Sequence, residues 1–325
     1  MHKIAPIAIF TLFFFACQPA GQSESRNEVP TSEPEVIKDP NKIYNLMGEE
    51  LSPLEISDEA REVSEINLGL AKANFDAKPD SLESIIWYGR RLAYLGKYLE
   101  AIGVFTEGLR IYPDSYHLYR HRGHRFITTR QLANAIEDFE LAAYYSLNLA
   151  NQIEPDGIPN RLNKPLSNDK FNIWYHFGLS YYLSGRFDKA LSAYKKCMDF
   201  SDNDDLLVAT SYWQYLTYMK LGNKELALEV LESISSDMKL IENDSYYELL
   251  KLYQSNNNVE KLLEKATNEG QIDPTMGYGL ASYYQHSGNL DKANELFLLI
   301  LESPNWNSFG YIAAEAELKT IFPVP

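Results

Sequence analysis

Residues 82–115, LESIIWYGRRLAYLGKYLEAIGVFTEGLRIYPDS, and residues 116–149, YHLYRHRGHRFITTRQLANAIEDFELAAYYSLNL, are one pattern written twice. Set one above the other, Gly89, Ala101 and Phe105 fall on Gly123, Ala135 and Phe139, and Tyr98 falls on Leu132. Small and aromatic residues at helical spacing in each half describe two amphipathic helices joined by a turn. Neither helix can cover its apolar stripe alone, so such a pair must stack on a neighbour. A fixed period of this length therefore predicts an all-α array of stacked helix pairs rather than a sheet-containing fold.

The period returns downstream. FNIWYHFGLSYYLSGRFDKALSAY (171–194) repeats the small and aromatic positions at Trp174, Gly178, Tyr181, Gly185, Phe187, Ala190 and Tyr194. Further copies begin near 208, 243 and 274, the one near 243 carrying Leu262 where the others have Ala. SEINLGLAKANFDAKP (64–79) fits the second helix of an incomplete copy, and SFGYIAAEAELKTIF (308–322) fits a closing helix. The offset of 34 residues and the segment GKYLEAIGVFTEGLRIYP (96–113), down to its closing Pro113, resemble the tetratricopeptide repeat. That resemblance implies a superhelical solenoid of about six helix-turn-helix repeats plus flanking helices, over residues 56–325.

The N-terminus reads differently. MHKIAPIAIFTLFFFA (1–16) sets a short basic start before an apolar run too short to span a bilayer, as in a secretory signal. FFAC resembles the lipobox of bacterial lipoproteins, with Phe14 where Leu is usual, which implies lipidation of Cys17 and an exported protein held at the cell envelope by its lipid. The alternative is conventional cleavage near Ala20. Residues 17–55, rich in Pro, Ser, Glu and Asn in their first part, read as a disordered tether. Once Cys17 is assigned, Cys197 stands alone at a small packing position, so inert burial is expected of it.

The chain carries a formal charge of −15, yet between residues 84 and 130 eight basic residues face three acidic ones. The rest of the chain therefore carries −20. Such an acidic body repels nucleic acid, while its one basic pole suits a small anionic group. In tetratricopeptide proteins the first helix of each repeat lines the concave surface. Carried onto this sequence, the resemblance implies ligand contacts at Arg90, His117, Arg120, His121, His124, Asn172, Tyr175 and His176. Arg120 and His124 are favoured over Arg122 and Arg125, because Arg122 stands at a position usually apolar and is suited to pair with Asp138 of the next helix. The family's carboxylate clamp is not reproduced, since Ile86 and His121 replace its Lys and Asn.

Between repeats two and three, about twenty residues are inserted around ANQIEPDGIPNRLNKPLSNDK (150–170), whose prolines and Pro-Asp-Gly turn exclude a long helix. The insertion is expected to be either an ordered lid or an outward bulge. No cofactor motif, zinc-binding pattern, nucleophile elbow or phosphate loop is present, and arginines crowding His117, His121 and His124 disfavour a metal there. A non-catalytic module that binds a protein or peptide partner, with membrane contact only through a lipid, is the leading reading. Two alternatives remain open at this point. One is an enzyme or small-anion receptor built from the His and Arg residues of repeats two and three and the insertion, and the other is an architectural component using its acidic convex face.

Overall fold

The computed structural model describes residues 38–321. The signal segment 1–16, Cys17 and the tether as far as residue 37 lie outside the described residues.

Helix α1 (Asp58–Ala77) opens the array, and six helix pairs follow. They are α2 (Leu82–Tyr94) with α3 (Tyr98–Ile111), α4 (Tyr116–Thr128) with α5 (Leu132–Ser146), and α6 (Asp169–Leu183) with α7 (Phe187–Met198). Next come α8 (Asp204–Lys220) with α9 (Lys224–Leu231), α10 (Asp244–Ser255) with α11 (Val259–Ala266), and α12 (Pro274–His286) with α13 (Leu290–Ile300). A closing helix, α14 (Phe309–Ile321), ends the described chain. The one sheet among the described residues is a two-residue hairpin after α11, pairing Thr267 with Ile272. The fourth repeat starts at Asp204 rather than near 208, because Asn203 caps α8 by accepting from the Leu206 amide.

The repeated residues make a repeated contact. A Cβ added at Gly89 would lie 2.3 Å from the Phe105 ring, at Gly123 3.0 Å from Phe139, and at Gly178 2.6 Å from Tyr194. In each of these pairs the first helix gives up its side chain so that the aromatic of the second can lie flat against its backbone. Ala101, Ala135, Ala190, Ala227 and Ala293, one in each second helix except α11, are fully buried. Helical spacing of small and large residues thus translates directly into close helix approach.

Within a pair, the turn needs one residue in the left-handed region. Glycine supplies it at Gly96, Gly185, Gly222 and Gly288. In the second repeat the position is Arg130, at φ 61°, where a non-glycine residue costs about 1–2 kcal/mol. Its side chain offsets that cost. The guanidinium reaches α14, donating to Glu315 at 3.0 and 2.5 Å and to the Trp306 carbonyl at 2.7 Å.

The superhelix is closed on itself by this link. Tyr182 of α6 and Tyr278 of α12 meet hydroxyl to hydroxyl at 2.7 Å across the inner wall. Phe309 packs on His124 and His176, and Asn307 donates to Tyr98. On the far side Glu317 of α14 pairs with Lys220 at 2.6 Å. Thirteen of the fifteen residues of α6 are consequently buried, which marks a helix enclosed on all sides rather than lining an open groove.

The tether expected to reach residue 55 ends sooner. Ile43, Leu51 and Leu54 pack on the core, and the Leu46 amide donates to Glu315 at 3.1 Å. Those apolar residues give residues 40–55 buried surface that orders them.

Glu315 is fully buried, and burial raises its carboxyl pKa against the opposing pull of Arg130. Replacing Arg130 by Ala leaves that carboxyl without its cation, at a cost of about 3–5 kcal/mol. In denaturant unfolding Arg130→Ala should show this loss and the double variant with Glu315→Gln should recover most of it. Equal stability of wild type and Arg130→Ala would show that the link does not hold the closure.

Candidate functional site

The basic stretch lies on α4, whose Ser115 cap accepts from the Leu118 amide and starts the helix so that alternate turns face α2 and α6. Arg122 points to α5 and forks onto Asp138, Nε and Nη2 donating at 2.8 and 2.7 Å, with Nη1 on the Thr106 hydroxyl. This is the structural pairing expected for it. The other cations face α2 and the insertion.

Residues 150–168 form an ordered strap. Its two ends are zipped together by Glu154 N to Ser167 O and Asp169 N to Gln152 O, both 2.9 Å. Its tip is tied to the 240–242 loop by Arg161, which donates to Leu240 and Ile241, and by Asn160 on Glu242. Its middle is pinned to α2, where Arg90 and Arg91 donate to the carbonyls of Pro155 and Gly157, each at 2.7 Å. Gly157 lies so close to the Tyr94 hydroxyl that a Cβ would stand 1.5 Å from it. The strap is therefore the ordered lid of the two forms expected.

Beneath it is a cavity of about 110 Å³ lined by Arg90, Tyr94, Phe105, Arg120, His121, His124, Arg125 and Glu154. Glu154 is the one carboxylate among these lining residues. Its Oε2 lies 3.0 Å from Arg120 Nε and accepts from Asn172 Nδ2 at 3.0 Å, and its Oε1 is 4.0 Å from Arg90. The Arg120 contact is one of charge rather than direction, because Nε is buried and makes no aligned hydrogen bond. Asp156 on the strap carries a buried Oδ2 with no hydrogen-bond partner. Burial raises the Asp156 carboxyl, which Arg90 opposes.

The histidines are held neutral. Burial lowers the pKa of His121, His124 and His176 well below the usual range, and neighbouring guanidiniums add to it. His121 Nδ1 accepts from Arg120 at 3.0 Å, so its proton sits on Nε2. His176 does the reverse, donating from Nδ1 to the Asn172 carbonyl at 2.6 Å. The Arg125 guanidinium makes no hydrogen bond or ion pair within the described residues. It lies over the Tyr98 ring at 5.5 Å, and burial lowers its pKa to about 10.

The predicted site thus divides. Arg90, Arg120, His121 and His124 come together around the cavity. His117 stands at its margin, 3.8 Å from Asp169. Asn172, Tyr175 and His176, expected to face a ligand on the concave wall, are buried and engaged within the chain: Asn172 on Glu154, Tyr175 accepting from Trp213 at 2.8 Å, His176 against Phe309. The reason is the strap on one side and α14 on the other, neither of which a repeat pattern foresees. Arg125, ranked below Arg120 from the sequence, does line the cavity, and so do Tyr94 and Glu154. The inward turn of Arg125 had a signal in its spacing of four from His121, whereas Glu154 had none. No group of three or more His, Cys, Asp or Glu side chains among the described residues is placed to hold a metal ion. Burial pushes the Cys197 thiol up to about 12, against hydrogen bonds from its hydroxyl neighbours.

The third helix pair, which carries His176 and borders this site, matches the family model of the tetratricopeptide repeat over residues 171–204. These 34 residues are a tetratricopeptide repeat. The glycine-to-aromatic contact of the matched repeat recurs in the two repeats before it, at the same place in each helix pair. No curated protein matches the sequence. Among solved structures, BtubC from P. vanneervenii is similar at 14% identity over 82% of this chain and 93% of that one, with a TM-score of 0.43. YrrB, described as a tetratricopeptide-repeat protein with an unusual peptide-binding site, aligns at 12% identity over 76% and 97%, TM-score 0.41. TTC0263 of Thermus thermophilus aligns at 15% over 73% and 100%, TM-score 0.39. These superpositions are loose. The tetratricopeptide fold itself suggests a protein-binding or scaffold role.

The neutral histidines make stability pH-dependent. Each has a folded pKa depressed below the unfolded value near 6.5, so the fold is favoured above that value and loses stability as pH falls below it, by up to about 1.4 kcal/mol per pH unit and histidine. His286, lowered by burial to about 4, adds to the same window. Chemical denaturation at pH 7 and pH 5 should show a clear fall in unfolding free energy. An unchanged value would contradict the neutral, buried assignment.

Proposed function

We propose that the protein is a non-catalytic binding module, exported and lipid-anchored at Cys17 in the bacterial cell envelope, that engages a protein or peptide partner at the N-terminal end of its solenoid. The partner's anionic group is held by Arg90, Arg120 and Arg125, with His117, His121 and His124 as polar surroundings. The observation that carries this reading is the charge imbalance at the cavity: three guanidiniums meet a single lining carboxylate, Glu154. In a recess walled by protein, that excess focuses positive potential on whatever anion approaches. In the later repeats the inner wall is occupied by α14 and the Tyr182–Tyr278 contact, whereas the basic end keeps a recess beside the strap.

An enzyme built from the same histidines has less support. A general base works best with a pKa near the operating pH, and burial takes His121, His124 and His176 far from it. Among the described residues no helix is long and apolar enough to cross a membrane, which suits attachment through the N-terminal lipid.

Two measurements test the proposal. Affinity capture from a native envelope extract with the full chain should return a partner that Arg125→Ala fails to retain while its helical circular dichroism is unchanged. Equal capture by both forms would remove the cavity from partner binding. For the anchor, Cys17→Ala should move the protein from the detergent phase to the aqueous phase on phase separation; retention in detergent would refute lipidation at that cysteine.

A further inference from the structure

Several features compete for a second role. The groove beside α10 and α11 and the exposed apolar stripe of Val63, Ile66 and Leu70 on α1 show no sign of what covers them. The Glu49, Glu50 and Glu302 cluster beside Trp306 is a set of carboxylates on its own. The cavity under the strap carries more, because its size, charge and donors agree.

We propose that this cavity is a site for a small free oxyanion, of phosphate, sulfate or short carboxylate class, with the strap at its edge. The proposal rests on the reading of the basic cluster as an anion-holding surface and narrows what that surface encloses. At about 110 Å³ the cavity has room for a few water-sized groups and not for a peptide segment. Its donors converge from two helices, Arg90 and Tyr94 from α2 and Arg120, His124 and Arg125 from α4, while the strap contributes Glu154.

The charge count supports the same occupant. Glu154 is already spent on Arg120, Arg90 and Asn172. Asp156, the other acid near Arg90, has its carboxyl pKa raised by burial and pulled back by Arg90, and it is not among the residues lining the cavity. Arg125, half-buried, lies over the Tyr98 ring and has no carboxylate partner among the described residues, so its guanidinium is free to take an anion. The His124 ring lies tilted against His176 and Phe309 and makes no hydrogen bond among the described residues, so its N–H remains to be given. A compact oxyanion accepts from a guanidinium fork, an imidazole N–H and a phenol at once, which a chloride-sized point charge does less well.

Glu154 then has a definite part. Its carboxylate shares Arg120 with the incoming anion and lowers the net attraction, so neutralising it should strengthen binding. Titration calorimetry of the full chain in detergent with inorganic phosphate, sulfate and acetate tests this. Saturable binding of at least one of the three is expected. Arg125→Gln should weaken it about tenfold or more, the loss of one charge-assisted contact, and Glu154→Gln should strengthen it several-fold. The Glu154→Gln arm keeps the test decisive should Arg125→Gln fail to fold.

No saturable heat with any of the three anions up to tens of millimolar, or binding indifferent to both substitutions, overturns the proposal. The partner reading fails separately. Phosphate binding that depends on Arg125, alongside partner capture that does not, would leave the anion site and remove the partner from it. Capture lost in Arg125→Ala with no small-anion binding would do the opposite.

Discussion

The pairing of Arg130 with Glu315 is the constraint on which the shape of this solenoid depends. It joins the turn of the second repeat to the closing helix, two places 185 residues apart in sequence, and both side chains are almost wholly shielded from water. Such a pair contributes little net stability against an apolar alternative, because two charges must be desolvated to form it. What it does supply is uniqueness: only one seating of α14 satisfies both charges. The left-handed backbone of Arg130 belongs to the same arrangement, since a glycine there would suit the turn and leave Glu315 without its cation.

Closure changes what the inner wall is for. An open repeat array offers its first helices to a ligand along its whole length, but here α14 and the Tyr182–Tyr278 contact fill the middle and far end. The polar residues of α6 accordingly became internal joints: Asn172 steadies Glu154, and Tyr175 takes the Trp213 proton. The first two repeats keep cations at a recess. The strap, pinned by Arg90 and Arg91 and tied at its tip by Arg161, covers even that. The cluster that the sequence shows as one basic pole is therefore two things, an internal fork of Arg122 on Asp138 and a group of Arg90, Arg120 and Arg125 lining the cavity beside the strap.

Much of this was legible before any coordinates. Gly89 over Gly123 and Phe105 over Phe139 report a contact made within one helix pair, where sequence distance is short and helical geometry fixes who meets whom. Arg122 with Asp138 is of the same kind, sixteen residues apart across a turn. The packing of Ile43, Leu51 and Leu54 was not legible, because a run of polar tether conceals a few apolar residues that matter only once a surface exists to receive them. Nor was Glu154, one acid among many in an acidic chain, marked as the partner of Arg120.

The sequence by itself determined the helix pairs, their period, their small and aromatic contacts, and the gathering of positive charge near residues 120–125, since each follows from local spacing and composition. The tertiary structure alone decided that the superhelix closes, that α14 and the strap occupy its inner face, and which cations still look into a cavity. Those outcomes depend on contacts between residues far apart in the chain, whose meeting is set by the accumulated angle of successive repeats and leaves no periodic trace in the sequence.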